Sequence, residues 1–294
     1  MFPHRAGSAW EVFAPAKLNL YLDVLGLRTD GFHELETLLV PVRLYDQLRW
    51  TAATEFSLQI RSQLPPDGAL GSPSDNLVQR AAQHLAEAAG IQPHGSFELV
   101  KRIPVQAGLG GGSSDAAAAL LLANEAWKIG YSRARLAELA ADLGSDVPFF
   151  LQGTAAIGRG RGEILQPTTG LPRMHFVVVK PPVSLSTAEV FARCMPSEQI
   201  EPGRIEKLIG ALRRGALSEA GGWMFNRLGT AAVTITTWMD RVIAALSEQG
   251  CRGCLMTGSG SACFGLLRTA REARRVAGVL SGKDLGNVLA VASC

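Results

Sequence analysis

The feature that most constrains the fold of this chain is a glycine-rich stretch from Val105 to Asp115, with the sequence V-Q-A-G-L-G-G-G-S-S-D. A run of strong helix formers, A-A-A-A-L-L-L-A, follows it directly. Glycine allows the backbone to adopt a positive φ and to approach a ligand closely. Ser113, Ser114 and Asp115 are residue types that favour the N-cap of a helix. The stretch therefore predicts a glycine loop that opens a helix capped by one of these three residues, and the free N–H groups at such a helix start attract phosphate.

A tight turn before a buried helix is the alternative interpretation of this stretch. Four glycines within five residues exceed what a turn requires, so phosphate binding is favoured. The P-loop pattern is absent because no lysine follows the glycines, and the dinucleotide-binding pattern fails because Ser113 stands where its third glycine belongs. The H-R-D and D-F-G signatures of protein kinases are also missing from the sequence. We therefore predict a phosphate-binding loop of another kind.

Composition and charge narrow the classes of protein that this chain can represent. Its 294 residues allow one large domain or two medium-sized ones, and a hydrophobic fraction of 47% supplies a full core. A net charge of +3 without a basic block argues against nucleic acid as the main partner. No apolar run has the length of a membrane span, and Met1 to Trp10 lacks the apolar core of a signal peptide. The five scattered cysteines are typical of free thiols in a reducing compartment, so we predict a cytoplasmic protein. The sequence indicates no obligate protein partner.

Two of the cysteines, Cys251 and Cys254, form the short motif C-R-G-C. Such a pair is weak evidence for zinc when no second pair of cysteines or histidines lies near it. The favoured interpretation is two small residues near a turn before a strand, and we predict no dedicated metal site.

Strand periodicity appears early in the chain. Between Lys17 and Val24 apolar and polar residues alternate, so that Lys17 and Asn19 point to the same face of the predicted strand. By itself Lys17 is best interpreted as a solvated strand lysine. The other segments with a clear pattern are strands at 38–42, 48–50, 56–60, 95–103, 176–180 and 288–292, helices at 76–89, 132–143 with Ser132 as the cap, 205–217, 238–249 and 270–280, and a loop at 62–74.

Two further polar stretches stand out among apolar neighbours. Asp146 lies in L-G-S-D-V-P-F-F, where Pro148 favours the first turn of a helix. Asp146 is either a functional carboxylate or only the cap of that helix. A second glycine–serine loop, G-S-G-S from Gly258 to Ser261, lies between strand-like segments.

Three of these stretches, P-A-K-L-N-L near the start, the glycine loop with its helix, and the Gly258–Ser261 loop, occur in the order found in the GHMP kinases, and the chain resembles that family. GHMP kinases phosphorylate hydroxyl groups of small molecules with ATP. The motifs D-G-F-H, L-G-S-D-V-P-F-F and M-T-G-S-G-S-A-C-F-G extend the resemblance to the branch that acts on a diphosphocytidyl-linked methylerythritol in the non-mevalonate route to isoprenoids. The matching motifs span residues 15 to 265.

This resemblance implies an α+β fold with the two domains of a GHMP kinase. The N-terminal domain, residues 1–165, is expected to resemble domain 2 of ribosomal protein S5. The C-terminal domain, residues 166–294, is expected to be ferredoxin-like, with the active site in the cleft between the two. The implied reaction transfers phosphate from ATP to the 2-hydroxyl of 4-diphosphocytidyl-2-C-methyl-D-erythritol, with Mg²⁺ expected beside the ATP.

The resemblance also implies roles for individual residues. Lys17 and Asp146 match the catalytic pair of the family: an aspartate can accept the proton of the attacking hydroxyl, and a lysine can keep it ionised and stabilise the transferring phosphoryl group. Positions implied for ATP are Asn76 and Lys101 near the adenine and the loop residues Pro104, Val105, Gln106, Ala107, Gly108, Leu109, Gly110, Gly111, Gly112, Ser113 and Ser114 near the phosphates. Positions implied for the cytidyl substrate are Asn19, Phe32, His33, Thr187, Phe191, Gly258, Ser259 and Gly260.

Within the substrate group, Phe32 and Phe191 are expected to sandwich the cytosine while His33 bonds its polar edge. The family often has tyrosine at the position of Phe32, and phenylalanine keeps the stacking face but loses the hydroxyl. Two other interpretations remain open. Another GHMP kinase, for homoserine, mevalonate or a sugar, would keep Lys17, the glycine loop and Asp146 without needing a cytosine pocket. A nucleotide-binding regulator without turnover would not need Lys17 or Asp146.

Overall fold

A computed structural model describes residues 1–63, 76–196 and 201–294. Most of the loop predicted at 62–74 therefore lies outside the described residues. The chain forms two compact units, each assembled from separate segments. Unit 1 comprises Met1–Ala16, Leu44–Val105 and Gly110–Gly153, and unit 2 comprises Lys17–Arg43, Gln106–Leu109 and Thr154–Cys294.

The described residues contain both strands and helices along the whole chain. The strands are β1 His4–Ala6, β2 Ala9–Leu27, β3 His33–Thr51, β4 Phe56–Ser62, β5 Gly95–Lys101, β6 Ala156–Gly160, β7 Ile164–Pro167, β8 His175–Lys180, β9 Phe225–Asn226, β10 Cys254–Met256, β11 Cys263–Leu267 and β12 Asn287–Ala292. The helices are α1 Leu77–Ala89, α2 Gly111–Ala126, α3 Arg133–Leu143, α4 Val147–Gln152, α5 Thr187–Ala192, α6 Arg204–Arg213, α7 Leu217–Trp223, α8 Leu228–Val233, α9 Trp238–Glu248 and α10 Ala270–Ser281. None of the helices in these ranges is long and apolar enough to cross a membrane.

Unit 1 packs helices against a mixed sheet. Its strands include β1, the first part of β2, the second part of β3, β5 and β4, in that order, with β5 antiparallel to β3 and parallel to β4. Helix α2 is buried on almost its whole surface and contacts α1, α3 and α4. The small side chains of Ala116 to Ala119, all fully buried, allow these neighbours to approach the helix closely. The start of α2 is therefore rigidly held.

Unit 2 contains a second, four-stranded sheet with the order β10-β11-β8-β12, antiparallel throughout. In chain order the first of these strands lies between the third and the fourth, which is the ferredoxin-like arrangement. Helix α9 packs on β10 and β11, and α10 packs on β8 and β12. Apolar side chains such as Val179, Val242, Val276 and Leu280 form the core between this sheet and its helices. The ferredoxin-like prediction for the C-terminal part is confirmed.

The rest of unit 2 is built around the hairpin of β2 and β3. The first part of β3 pairs with β6 in antiparallel register, with Leu35 opposite Gly160, and β6 continues into β7. The second part of β2 pairs with the short parallel strand β9, with Tyr21 opposite Phe225. This arrangement places the turns of two hairpins, β2–β3 and β6–β7, side by side.

Several predicted boundaries agree with the structure and others do not. Asn76 and Ser132 cap α1 and α3 with their side chains, as the sequence predicts for Ser132. The predicted cap of α2 among residues 113–115 is wrong: the N-cap is Gly110, with φ of 71°. Only glycine adopts this conformation without strain, so the helix begins earlier than the cap rule predicts. The helix predicted at 205–217 is confirmed as α6, Arg204–Arg213, but its predicted end is wrong: the chain turns at Gly215, with φ of 70°, and α7 begins at Leu217.

The two strands predicted at 38–42 and 48–50 are one strand, β3. Residues 43–47 were not predicted as strand because they are mostly polar and break the apolar alternation. Asp46 in this segment is nevertheless fully buried, since it has a buried cation as its partner. The ion pair between Asp46 and Lys101 thus takes the place of the apolar contact that strand alternation would lead one to expect here.

Candidate active site

Lys17 lies on β2 and is buried, with 4% of its surface exposed. Its Nζ atom donates to Oδ1 of Asn19 at 2.6 Å, because alternation along the strand places the two side chains on one face. The interpretation of Lys17 as a solvated strand lysine is therefore wrong. A buried ammonium is costly unless polar groups solvate it, so this position is built to hold a cation.

Asn19 is itself fixed in orientation by two threonines. Its Nδ2 atom donates to Oγ1 of Thr37 at 2.9 Å, and its backbone N–H donates to Oγ1 of Thr257 at 3.1 Å. Both threonines are buried. With the amide group held in this way, Oδ1 of Asn19 faces the lysine. Neither Thr37 nor Thr257 is predicted from the sequence, and the only signal for Thr257 is its position directly before the second glycine loop.

The two glycine loops, which the sequence places far apart, are in backbone contact within unit 2. A Cβ atom on Gly108 would lie 2.1 Å from the carbonyl oxygen of Thr257, and one on Gly258 would lie 3.1 Å from the carbonyl oxygen of Gly108. Ala262 N–H donates to Ala107 O at 3.1 Å, and Lys17 N–H donates to Leu109 O at 2.9 Å. Residues 106–109 are therefore held from both sides. Gly108 and Gly258 are required here by the packing of backbone against backbone.

In unit 1, the start of α2 has the features of an anion-binding site. The first intrahelical hydrogen bond runs from Ser114 N–H to Gly110 O at 2.9 Å, so the N–H groups of Gly111, Gly112 and Ser113 precede the helical ladder. The positive end of the helix dipole lies at the same place. Among the described residues Ser114 Oγ is one of the few buried polar atoms without a hydrogen-bond partner. This arrangement can accept phosphate oxygens.

The entrance to this loop is held by a buried cluster that we call the Asp46 triad: Asp46, Lys101 and Asp115. Lys101 Nζ donates to Asp115 Oδ2 at 2.6 Å and to Asp46 Oδ2. Asp46 Oδ1 also accepts from the backbone N–H groups of Arg102 at 2.5 Å and Ile103 at 2.8 Å. The carboxylate thus fixes the segment that leads into the glycine loop, while Asp115 anchors the first turns of α2.

The triad lies directly beneath the loop. A Cβ atom on Gly111 would lie 3.3 Å from Lys101 Nζ and 3.0 Å from Ile103 Cγ2. Gly111 therefore packs closely against Lys101 and Ile103. The ammonium of Lys101 is engaged by two carboxylates, and its predicted place near the adenine stays a prediction. Asp46 was missed because one polar residue inside a strand gives no pattern.

Burial dominates the electrostatics of the triad. It raises the pKa of Asp115 to about 8, the charge of Lys101 opposes this rise, and the charge of Asp46 adds to it. Burial lowers the pKa of Lys101, but the charges of Asp115 and Asp46 outweigh it, so that this pKa is raised overall. Burial and the charge of Asp46 thus favour the protonated form of Asp115.

Asp146 occupies the N-cap position of α4, with Pro148 at the second helical position. Its side chain makes no capping hydrogen bond to that helix. The interpretation of Asp146 as only a cap therefore loses its main support. Asn76, by contrast, does cap α1, since its Oδ1 accepts from Val78 N–H at 2.9 Å.

The residues assigned to the cytidyl substrate form contacts with one another in unit 2. The rings of His33 and Phe191 lie with their centroids 5.0 Å apart. Thr187 Oγ1 and Ser259 Oγ are hydrogen-bonded at 2.8 Å, which joins the start of α5 to the second glycine loop. Phe32 is 51% exposed, and the guanidinium of Arg161 lies over its ring. The ring that contacts Phe191 is thus His33, and the sandwich of cytosine between Phe32 and Phe191 stays a prediction.

Cys251 and Cys254 are free thiols, and Ser247 Oγ lies 3.6 Å from Cys254 Sγ. Within the described ranges, no group of three or more His, Cys, Asp or Glu side chains is arranged to hold a metal ion. Cys251 lies at the turn before β10, and Cys254 is the first residue of that strand.

Comparison with known proteins adds to this geometry. The family model for the GHMP kinases N terminal domain matches residues 76–154, and the model for the GHMP kinases C terminal matches residues 208–283. The chain is 42% identical over 267 residues to a 4-diphosphocytidyl-2-C-methyl-D-erythritol kinase of Pelotomaculum thermopropionicum, covering 90% of this chain and 91% of the relative.

Two solved structures extend the comparison. A crystal structure of 4-(cytidine 5'-diphospho)-2C-methyl-D-erythritol kinase is 38% identical, with a TM-score of 0.82 and coverage of 96% of this chain and 98% of that one. A homoserine kinase of Cytophaga hutchinsonii has a TM-score of 0.75 at 20% identity, covering 100% of this chain and 97% of that one, and this likeness concerns the fold alone.

The fold, the glycine loop and both family models define a small-molecule kinase of the GHMP class. The extent of the identity is decisive for the finer assignment, since it spans nearly the full length of both chains. This chain belongs to the family of 4-diphosphocytidyl-2-C-methyl-D-erythritol kinases.

The loop contact generates a first prediction, for the change Gly108→Ala. The new Cβ atom meets Thr257 O and the residue keeps a positive φ, so we expect overpacking of about 1–3 kcal/mol to add to a backbone strain of about 1–2 kcal/mol. The matched control is Gly215→Ala, also in unit 2, where φ is 70° and no atom lies within 4 Å. Urea unfolding measures both variants. Equal destabilisation of the two would contradict the close contact of the loops.

The triad generates a second prediction, for Asp46→Asn and Asp115→Asn. Asp46→Asn removes the ionised partner of a buried ammonium and should cost about 3 kcal/mol. Asp115→Asn resembles the protonated form that burial favours, and it spares the folded state the uptake of a proton from neutral solution, so the unfolding free energy at pH 7 should stay the same or rise.

The pH dependence separates the two variants further. A raised pKa of Asp115 means that the folded state keeps a proton between about pH 4 and 8 that the unfolded chain has released. The contribution of Asp115 to the unfolding free energy is therefore at its maximum below pH 4. It declines by ~1 kcal/mol per pH unit as the pH rises to about 8. In Asp115→Asn this decline should disappear from the unfolding free energy. A decline identical to that of the wild type would show that Asp115 is ionised in the folded protein.

Proposed function

We propose that this chain transfers the γ-phosphoryl group of ATP to the 2-hydroxyl of 4-diphosphocytidyl-2-C-methyl-D-erythritol. The observation that carries the proposal is the 42% identity over 90% of the chain with a relative of that name. The residues that the family motifs assign to catalysis and binding are present in this sequence, apart from Phe32, where the family often has tyrosine. The reaction makes the chain a kinase of the non-mevalonate route to isoprenoid precursors.

ATP is the phosphoryl donor of the class, and the start of α2 suits its phosphates. The N–H groups of Gly111, Gly112 and Ser113 lie in the first turn of α2, so no carbonyl of the helix can accept from them, and they can donate to phosphate oxygens. Phosphoryl transfer depends mainly on positioning and charge stabilisation, so a loop held by the Asp46 triad is well suited to it. Asn76 and Lys101 are proposed near the adenine end.

Mg²⁺ is proposed as a companion of ATP. The metal usually keeps several waters and binds through substrate phosphates and one or two protein oxygens, so a dedicated protein cage is not required. When bound, the metal would neutralise charge on the transferred phosphate.

Lys17 and Asp146 are proposed as the catalytic residues. Asp146 accepts the proton of the 2-hydroxyl as that oxygen attacks the phosphorus atom. Lys17, oriented by Asn19 and Thr257, stabilises negative charge on the transferring group. The protein groups that orient Lys17 belong to unit 2, whereas Asp146 belongs to unit 1.

The substrate end is proposed around the contacts in unit 2. His33 and Phe191 supply an aromatic surface and a hydrogen-bonding ring for cytosine, and the Thr187–Ser259 bond links them to Gly258 and Gly260 of the second glycine loop. The division of the sequence into domains at residues 165 and 166, and a location in the cytoplasm, remain proposals. They rest on the family motifs and on the scattered free thiols.

The direct test is a phosphoryl-transfer assay that offers ATP with the diphosphocytidyl substrate, homoserine or mevalonate side by side. We expect kcat/KM for the cytidyl substrate to exceed the other two by at least a thousandfold. Comparable turnover of homoserine or mevalonate would assign the chain to another GHMP kinase, and ATP binding without turnover of any acceptor would indicate a regulator.

A third prediction concerns Asp146 as the general base. Asp146→Asn should lower kcat by about a hundredfold or more while the Kd for ATP stays within threefold, since a general base contributes roughly 10²–10⁴. Asp142→Asn serves as the control, because Asp142 is a nearby surface carboxylate whose side chain is 69% exposed. Normal turnover in Asp146→Asn would exclude the proposed role.

A fourth prediction concerns recognition of the cytosine by His33. His33→Ala should raise KM for the cytidyl substrate about tenfold, because an unpaired buried polar group costs about 1–3 kcal/mol and 1.4 kcal/mol corresponds to tenfold. KM for ATP should stay the same. His84→Ala is the control, since His84 lies in unit 1 beside Asp142. A parallel change in KM for both substrates would show that His33 acts only on folding.

A further inference from the structure

Arg161 lies at the turn between β6 and β7, next to the substrate residues but outside the family motifs. Its guanidinium carbon is 4.7 Å from the centroid of the Phe32 ring. Register places this turn beside the β2–β3 turn: Leu35 pairs with Gly160, and Gly160 N–H donates to Glu34 Oε1 at 3.0 Å. The stacking of Arg161 on Phe32 thus follows from the sheet itself.

The positions of both side chains are fixed by their own turns. Asp30 Oδ1 accepts from Phe32 N–H at 3.1 Å, and Glu163 Oε2 accepts from Arg161 N–H at 2.6 Å. Phe32 is half-exposed and the Arg161 side chain is 33% exposed, so both present surface to a ligand. A guanidinium over a phenyl face gains roughly 0.5–1 kcal/mol and keeps its N–H edge free to donate.

Three arginines at these turns differ in how closely carboxylates neutralise them. Arg28 pairs with Glu34 at 2.6 Å and with Asp30 at 3.2 Å, and Arg159 pairs with Glu36 at 3.0 Å. Arg161 has its nearest carboxylate oxygen, from Glu163, at 3.9 Å.

Asp30 also lies within electrostatic reach of Arg161, but its carboxylate is hydrogen-bonded to Arg28 and to Phe32 N–H. Arg161 is therefore the least neutralised of the three guanidinium groups. Its five N–H donors match the oxygens of a phosphate, which a guanidinium can bind through two parallel hydrogen bonds.

We propose that Arg161 is a specificity-determining residue that binds the diphosphate of a nucleoside diphosphate-linked substrate while stacking on Phe32. The inference rests on the proposed function, because it needs a pyrimidine diphosphate at this site. It also accounts for phenylalanine at position 32: an uninterrupted apolar face supports the guanidinium, and Arg161 supplies the polar contact there.

The test is competitive inhibition of phosphoryl transfer by CDP and by cytidine in wild type, Arg161→Met and Arg161→Lys. Arg161→Met should raise the inhibition constant of CDP at least tenfold and that of cytidine less than threefold, since only CDP carries the phosphates. For Arg161→Lys the inhibition constant of CDP should lie between those of wild type and Arg161→Met, because lysine keeps the positive charge but lacks the two parallel N–H donors of the guanidinium. Arg159→Met, two residues away on the same hairpin and paired with Glu36, should leave both constants within threefold of wild type.

Salt provides a second readout that a purely structural role would not change. Between low and high ionic strength the inhibition constant of CDP should rise in the wild type and change much less in Arg161→Met. Equal weakening of CDP and cytidine, or unchanged constants in Arg161→Met, would overturn the inference. Both outcomes would leave the proposed function intact, whereas a wild type that fails to phosphorylate the cytidyl substrate would overturn the proposed function itself.

Discussion

The carbonyl oxygen of Thr257 lies 2.1 Å from the point where residue 108 would carry a Cβ atom, and much of unit 2 depends on that contact. It brings the segment 106–109 against the second glycine loop, and the same segment accepts the backbone N–H of Lys17 through Leu109 O. Asn19 and Thr257 then orient the ammonium of Lys17. Two glycine motifs that resemble independent ligand loops in sequence are thus packed against each other, beside the buried ammonium of Lys17.

In unit 1 the corresponding feature is a helix start, that of α2, which is held firmly by buried side chains. A buried group of two carboxylates and one ammonium is expensive to desolvate, and an apolar cluster of equal volume is often as stable. The Asp46 triad instead fixes the orientation of the backbone: Asp46 accepts from the N–H groups of Arg102 and Ile103, and Asp115 links the first turns of α2 to Lys101. Burial raises the pKa of Asp115, which favours a protonated carboxyl in this cluster.

The sequence predicted those parts of the fold that local rules govern. Periodicity identified β2 and α1, and the cap rule identified the start of α3, because each depends on neighbours in the chain. The start of α2 was predicted wrongly because Gly110 uses a positive φ where the rule expects a polar side chain. Lys17 could not be predicted as buried, and Asp46 could not be predicted at all, because their partners lie on other elements. The ferredoxin-like order of β8, β10, β11 and β12 came from the family resemblance, since strand order depends on long-range pairing.

The central claim is that this structure places one phosphate on one defined hydroxyl. Phosphorus and carbon NMR of a reaction containing ATP and the cytidyl substrate tests it most directly, because coupling between the two nuclei identifies the carbon that bears the new phosphate. The account predicts a single phosphomonoester on the carbon of the 2-hydroxyl, formed in step with ADP. Release of inorganic phosphate without that product, or a phosphate on a different carbon, would contradict it.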